Sequence, residues 1–111
     1  MTAAQLPRRF RKLPLADVAS RRVPVAVNIP SRLLGLALLG PERAGEGLVI
    51  PRCRSVHTFG MRFRVHVVFC DRGLRPISVR GSVPPRRVVR DRRAEAVVEL
   101  PVTPGVADAA V

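Results

Sequence analysis

Tryptophan and tyrosine are absent from this 111-residue chain, lysine occurs once, and only eight carboxylates face twenty basic residues. With four phenylalanines as its whole aromatic content, the core has to be built from Val, Leu and Ala, a composition that leans toward strands. The same shortage limits base stacking, the usual companion of charge in nucleic-acid modules, and no helix-turn-helix, zinc-finger or RNP pattern is present. Cysteines number two, and no Cys-x-x-Cys motif is present. The longest apolar run, Leu33 to Gly40, follows Arg32 and is far too short to span a bilayer. Arg8-Arg9-Phe10-Arg11-Lys12 looks superficially like a twin-arginine export signal, but Asp17, Arg21 and Arg22 interrupt the place where its apolar region should follow. The expectation is a cytoplasmic protein with reduced thiols.

What is present is arginine, and with it a formal net charge of +12. Two explanations stay open. A GC-rich genome inflates Arg, Ala, Val, Pro and Gly together, which accounts for arginine in place of lysine but less well for the few acids. An anionic partner (nucleic acid, lipid surface or protein), gripped by guanidinium forks, accounts for both.

The length suits one domain with a modest core. Residues 1–20 read as a basic flexible arm, 21–101 as the domain and 102–111 as a frayed tail. Val23 to Val27 reads as a first strand, with Pro24 placing it at an edge or at a strand start, and Ser31 as the N-cap of a short, largely apolar helix over Arg32 to Leu39 that plugs the core. Leu48-Val49-Ile50 is a strand stopped by Pro51. Val65, Val67 and Phe69 alternate with His66 and Cys70 to give a strand with one apolar face. Asp71-Arg72-Gly73 is turn chemistry leading into a strand from Leu74 to Val79. Gly81 to Pro85 reads as a loop, Arg87 to Arg90 as a short strand and Ala94 to Leu100 as the last. The predicted fold is mostly β (α+β), a small partly open barrel or sandwich with one short buried helix.

Chemistry concentrates between Cys53 and Phe63. Cys53 and His57, then His66 and Cys70, form a mirrored pattern of four possible zinc ligands. On a strand, however, His66 and Cys70 stand about 13 Å apart, too far to share one ion. Arg52 and Arg54 would favour a Cys53 thiolate with His57 as base, yet no third orienting group is evident. Ser55, His57 and Asp71 lack a nucleophile elbow. The blander reading makes Ser55, Thr58 and Gly60 loop formers, Met61 and Phe63 core residues, the thiols partly buried and the imidazoles solvent-facing. Arg52, Arg54, Arg62 and Arg64, with Arg86, Arg87, Arg90, Arg92 and Arg93, would make one positive surface if their loops converge, with Arg52, Arg54, Arg62, Arg86, Arg87 and Arg90 as the expected anion-binding set.

Leu48-Val49-Ile50-Pro51-Arg52-Cys53-Arg54-Ser55-Val56-His57-Thr58-Phe59-Gly60-Met61-Arg62-Phe63, continuing into Val67-Val68-Phe69-Cys70-Asp71, resembles the family named domain of unknown function 192. The resemblance extends over about residues 22 to 101, with Arg32-Leu33-Leu34-Gly35-Leu36 and Val97-Val98-Glu99-Leu100-Pro101 as weaker flanks. It implies a compact, mostly β bacterial domain with one short helix and brings no established activity. Where that family runs Pro-hydrophobic-Asp, this chain has Arg64-Val65-His66. An aliphatic position holds Cys70, and a closing Gly-Asp-hydrophobic strand is replaced by Ala and Val. Taken together, the residues favour a non-enzymatic binding or accessory module for an anionic partner, with no cofactor implied. The alternative is a small enzyme or metal-assisted site built on Cys53, His57 and His66, with Arg54, Ser55, Thr58 and Met61 around them.

Overall fold

The computed structural model describes residues 14–18, 21–26 and 47–102. The expected helix and the tail beyond Val102 lie outside the described residues. Within them the protein is all β, and no helix is present. Leu15–Val18 (β1), inside the segment expected to be an arm, pairs antiparallel with Arg21–Pro24 (β2). Leu48–Pro51 (β3), Val65–Cys70 (β5), Pro76–Val83 (β6) and Ala96–Pro101 (β8) make an open antiparallel sheet in the order β3-β8-β5-β6. Ser55–His57 (β4) and Val88–Arg90 (β7) form a separate antiparallel ribbon. Val25 bridges Val49 in parallel, and the Ala26 N–H donates to the Val49 carbonyl at 2.7 Å, which joins the β2 segment to the outer side of β3.

β5 sits between β8 and β6, and this changes its expected character. Val65, Val67 and Phe69 enter one core cluster with Leu48, Ile50 and Val97. Cys70 on the opposite face joins Val23, Val49, Ala96 and Val98 in a second. A strand covered on both sides carries no polar face, so His66 is buried at 9% exposure rather than solvent-facing. β8 is enclosed in the same way, and it carries Glu99 inside, between Leu48 and Val67, at 1% exposure. Burial pushes this carboxyl up to about 7.

The loop expected over Gly81 to Pro85 is in fact largely strand. β6 runs on to Val83 because the pairing register shifts between Val65↔Val83 and Val67↔Arg80, leaving Gly81 and Ser82 together opposite His66. Glycine here marks a β-bulge, not a strand end. Ser82 adopts φ 52°, and the backbone groups its bulge withdraws from the ladder are met by the side chains of His66 in β5 and of Arg64 just before it. His66 Nδ1 accepts the Ser82 N–H at 3.0 Å, and Arg64 Nη1 donates to the Ser82 carbonyl at 2.8 Å. Arg64 and His66 thus share one structural task.

That pairing makes a testable prediction. His66→Asn keeps an acceptor near the Nδ1 position and should change stability by less than about 1 kcal/mol, whereas His66→Leu strands the Ser82 N–H and should cost about 1–3 kcal/mol. Urea denaturation of both variants separates the cases, and equal effects would contradict the assignment.

Two aspartates build the turns at one end of the sheet. Asp71 Oδ1 accepts the N–H groups of Gly73 and Arg75, both at 2.9 Å, and chiefly the Arg75 backbone bond holds its carboxyl below the ordinary range. Asp91 accepts the Arg93 guanidinium and N–H, and Ser78 Oγ donates to it at 2.7 Å, so its carboxyl stays well below the usual carboxylate range.

Candidate functional site

Register brings the chemistry-bearing segments together. Ala96 pairs with Pro51 on one side and with Cys70 on the other, so the loop after β3, the β5–β6 turn and the β7–β8 turn share one end of the sheet. Pro51 closes β3, and Arg52 then takes φ 51°, a left-handed conformation that non-glycine residues rarely adopt. Its N–H donates to the Glu95 carbonyl at 2.8 Å and locks the turn. Cys53 is half-buried against the main core, its thiol donating to the Ser55 carbonyl at 3.2 Å. Arg54 Nε donates to the Ala94 carbonyl at 3.3 Å, while its own carbonyl accepts the Asp91 N–H at 2.9 Å. The segment from Arg52 to Ser55 therefore wraps the β7–β8 turn and lines an open groove of about 800 Å³.

The ribbon supplies a second surface. Val56 and its partner Val89 face inward, which turns Ser55, His57, Val88 and Arg90 outward, all exposed. Phe59 follows at 52% exposure with its ring 5.9 Å from that of His57, and Val88, the strand partner of His57, is 57% exposed. Large apolar side chains left so open on a short ribbon, next to arginines, form a mixed apolar and cationic face.

Thr58 holds this face in shape. Fully buried, its hydroxyl donates to the Pro84 carbonyl at 2.7 Å and accepts the Arg87 N–H at 2.9 Å. Its backbone N–H donates to the Arg87 carbonyl at 2.8 Å, and its carbonyl accepts the Arg86 N–H at 3.3 Å. Arg86 is presented at φ 68°. Met61 and Phe63 are buried in the main cluster. Arg62 is exposed between them.

His66 stands apart from Cys53. The groove lies at the Cys70 end of β5, and His66 lies about 13 Å away along the strand. Because His66 Nδ1 accepts a backbone N–H, the hydrogen of the neutral ring is on Nε2, which is buried without a hydrogen-bond partner. Coordinating a metal through Nε2 would strip the ring of both protons, an arrangement opposite to the usual ligand with a donating second nitrogen. Among the described residues no group of three or more His, Cys, Asp or Glu side chains is placed to hold a metal ion. Cys70 is buried, and burial foremost, with Asp71 beside it, pushes its thiol up.

Charge is distributed very unevenly. Residues 47–90 contain ten arginines and one carboxylate, Asp71. Apart from Glu99, the described carboxylates are occupied by arginines: Asp17 with Arg22, Asp71 with Arg75, Asp91 with Arg93 and Glu95 with Arg72. Glu99 is buried. Among the described residues no carboxylate pairs with Arg52, Arg54, Arg62, Arg86, Arg87 or Arg90. Glu99, Arg72, Leu74 and Glu95 are not among the site residues expected from the sequence. For Glu99 the available signal is a lone carboxylate inside the apolar run from Ala96 to Leu100.

No family model matches the chain, and no curated protein does. In fold it is similar to a protein of unknown function from the bacterium Novosphingobium aromaticivorans DSM 12444, known from a crystal structure. The TM-score is 0.56 at 16% identity, over 78% of this chain and 70% of that one.

Proposed function

We propose that this protein is a non-enzymatic binding module for an anionic partner, engaged through the outer face of the β4–β7 ribbon and the arginines beside it. The observation that carries the reading is the set of exposed arginines without carboxylate partners, Arg62, Arg86, Arg87 and Arg90 with Arg52 and Arg54. Guanidinium groups left unpaired on a surface already rich in positive charge repel one another, and an anionic partner relieves that repulsion. The exposed His57–Phe59 ring pair and Val88 add apolar contact area between the charges. The same proposal includes membership of the family named domain of unknown function 192, supported by the Leu48–Phe63 motif. It also includes a partly open barrel with a short helix over residues 32–39, and a cytoplasmic location with reduced thiols.

Equilibrium binding to a single-stranded oligonucleotide, to anionic lipid vesicles and to polyglutamate, across 50–500 mM salt, tests the reading. The expected result is binding to at least one probe that weakens steeply with salt. In Arg86→Gln/Arg87→Gln/Arg90→Gln it should weaken by about 10–100-fold, with a shallower salt dependence. Binding to none of the three, or binding indifferent to salt, would overturn it.

A further inference from the structure

The groove at the end of the sheet is a different feature from the ribbon face, and its lining calls for a different ligand. Its floor is apolar, formed by Val49, Leu74, Ala94 and Ala96. Its rim carries Arg52, Arg54 and Arg72. Glu95, also on the rim, is already engaged by Arg72, which gives it a backbone N–H at 3.0 Å and a guanidinium contact at 3.9 Å. Arg52 and Arg54 are therefore the uncompensated charges over an apolar floor.

Both are positioned by backbone contacts. The Arg52 turn is fixed in its left-handed conformation by the bond to Glu95, and Arg54 spends one donor of its fork on Ala94, leaving its terminal nitrogens for another acceptor. A volume of about 800 Å³ falls in the range of sites for small organic ligands. A bare inorganic anion would leave the floor unused, and a neutral apolar molecule would leave the two guanidiniums unmatched. We infer that the groove binds a small amphipathic anion, its phosphate or carboxylate head held by Arg52 and Arg54 and its short alkyl or acyl body lying on the floor. The inference shares Arg52 and Arg54 with the macromolecular surface proposed above but goes beyond that reading and does not depend on it.

Cys53 lines the groove and reports occupancy, while Cys70, buried at 1% exposure, serves as the slow internal reference. Octyl phosphate, inorganic phosphate and octanol, each below any micellar concentration, are titrated by calorimetry, and the alkylation rate of Cys53 is followed in parallel. Octyl phosphate is expected to bind at least tenfold more tightly than either of the other two and to slow Cys53 alkylation at least threefold. Arg52→Gln, an exposed side chain whose loss keeps the Arg54–Ala94 bond, should weaken octyl phosphate at least tenfold while leaving the thermal midpoint close to wild type. Arg86→Gln/Arg87→Gln/Arg90→Gln should leave octyl phosphate binding unchanged, so failure of the ribbon reading and failure of the groove reading are distinguishable. Octanol or inorganic phosphate binding as tightly as octyl phosphate would overturn the inference. So would Cys53 alkylation indifferent to octyl phosphate.

Discussion

Replacing Glu99 by glutamine is expected to flatten the pH dependence of stability between pH 5 and 8, and to stabilise the protein by up to about 3 kcal/mol at pH 8. Glu99 lies between Leu48 and Val67 in the core, and burial lifts its carboxyl from the ordinary 4.5 to about 7. In that interval the folded protein holds a proton that the unfolded chain has already released. Stability therefore falls as pH rises from about 4.5 through about 7 and levels off above, once Glu99 is charged in both states. The displacement corresponds to about 3 kcal/mol in all, since each pKa unit is worth about 1.4 kcal/mol. Glutamine is neutral throughout and removes the slope. Asp71 and Asp91 act in the opposite direction, being depressed in the folded state, but their contribution is lost only in acid, below the ordinary carboxylate range. Urea denaturation of wild type and Glu99→Gln at pH 5 and pH 8 decides the matter. A wild-type stability that is equal at both pH values would contradict the placement of Glu99.

Thr58→Val is expected to cost about 1–3 kcal/mol, because it leaves two part-buried backbone groups without partners at nearly constant volume. The Pro84 carbonyl loses its donor and the Arg87 N–H loses its acceptor. Thr58→Ser retains the hydroxyl and should cost less than half as much. Since Thr58 also fixes the loop that displays Arg86 and Arg87, the valine variant should bind the anionic partner more weakly even where it remains folded. A cost below about 1 kcal/mol by urea denaturation would mean that water replaces both bonds and that Thr58 is an ordinary turn residue.

These two positions mark where sequence reasoning reached and where it stopped. β3, the main run of β5 and β8 were legible because apolar runs ended at Pro51, Asp71 and Pro101. Asp71-Arg72-Gly73 announced its turn by side-chain chemistry that the structure uses. β6 was cut short in the reading because Gly81 has the signature of a loop, while a bulge needs the same freedom. His66 was expected in solvent because alternation on one strand cannot tell whether neighbouring elements cover its second face. The Arg52–Ser55 cluster was visible as consecutive residues. Its meeting with Arg72, Leu74 and Ala94 was not, since that meeting depends on Ala96 pairing with both Pro51 and Cys70. Thr58 was legible only as a loop former bonding nearby backbone, because the partners of its buried hydroxyl, Pro84 and Arg87, are long-range.

The central claim is that the place of the charge matters, beyond its amount. Two variants of equal net charge isolate that difference: Arg86→Gln/Arg87→Gln/Arg90→Gln on the ribbon side, and Arg22→Gln/Arg75→Gln/Arg80→Gln elsewhere. The most direct measurement is the affinity of both for whichever anionic probe binds wild type, at one physiological salt concentration. The account predicts that the ribbon-side variant loses at least tenfold more affinity than its counterpart. Equal losses would show that binding follows the net charge of +12 alone, and would contradict a dedicated surface.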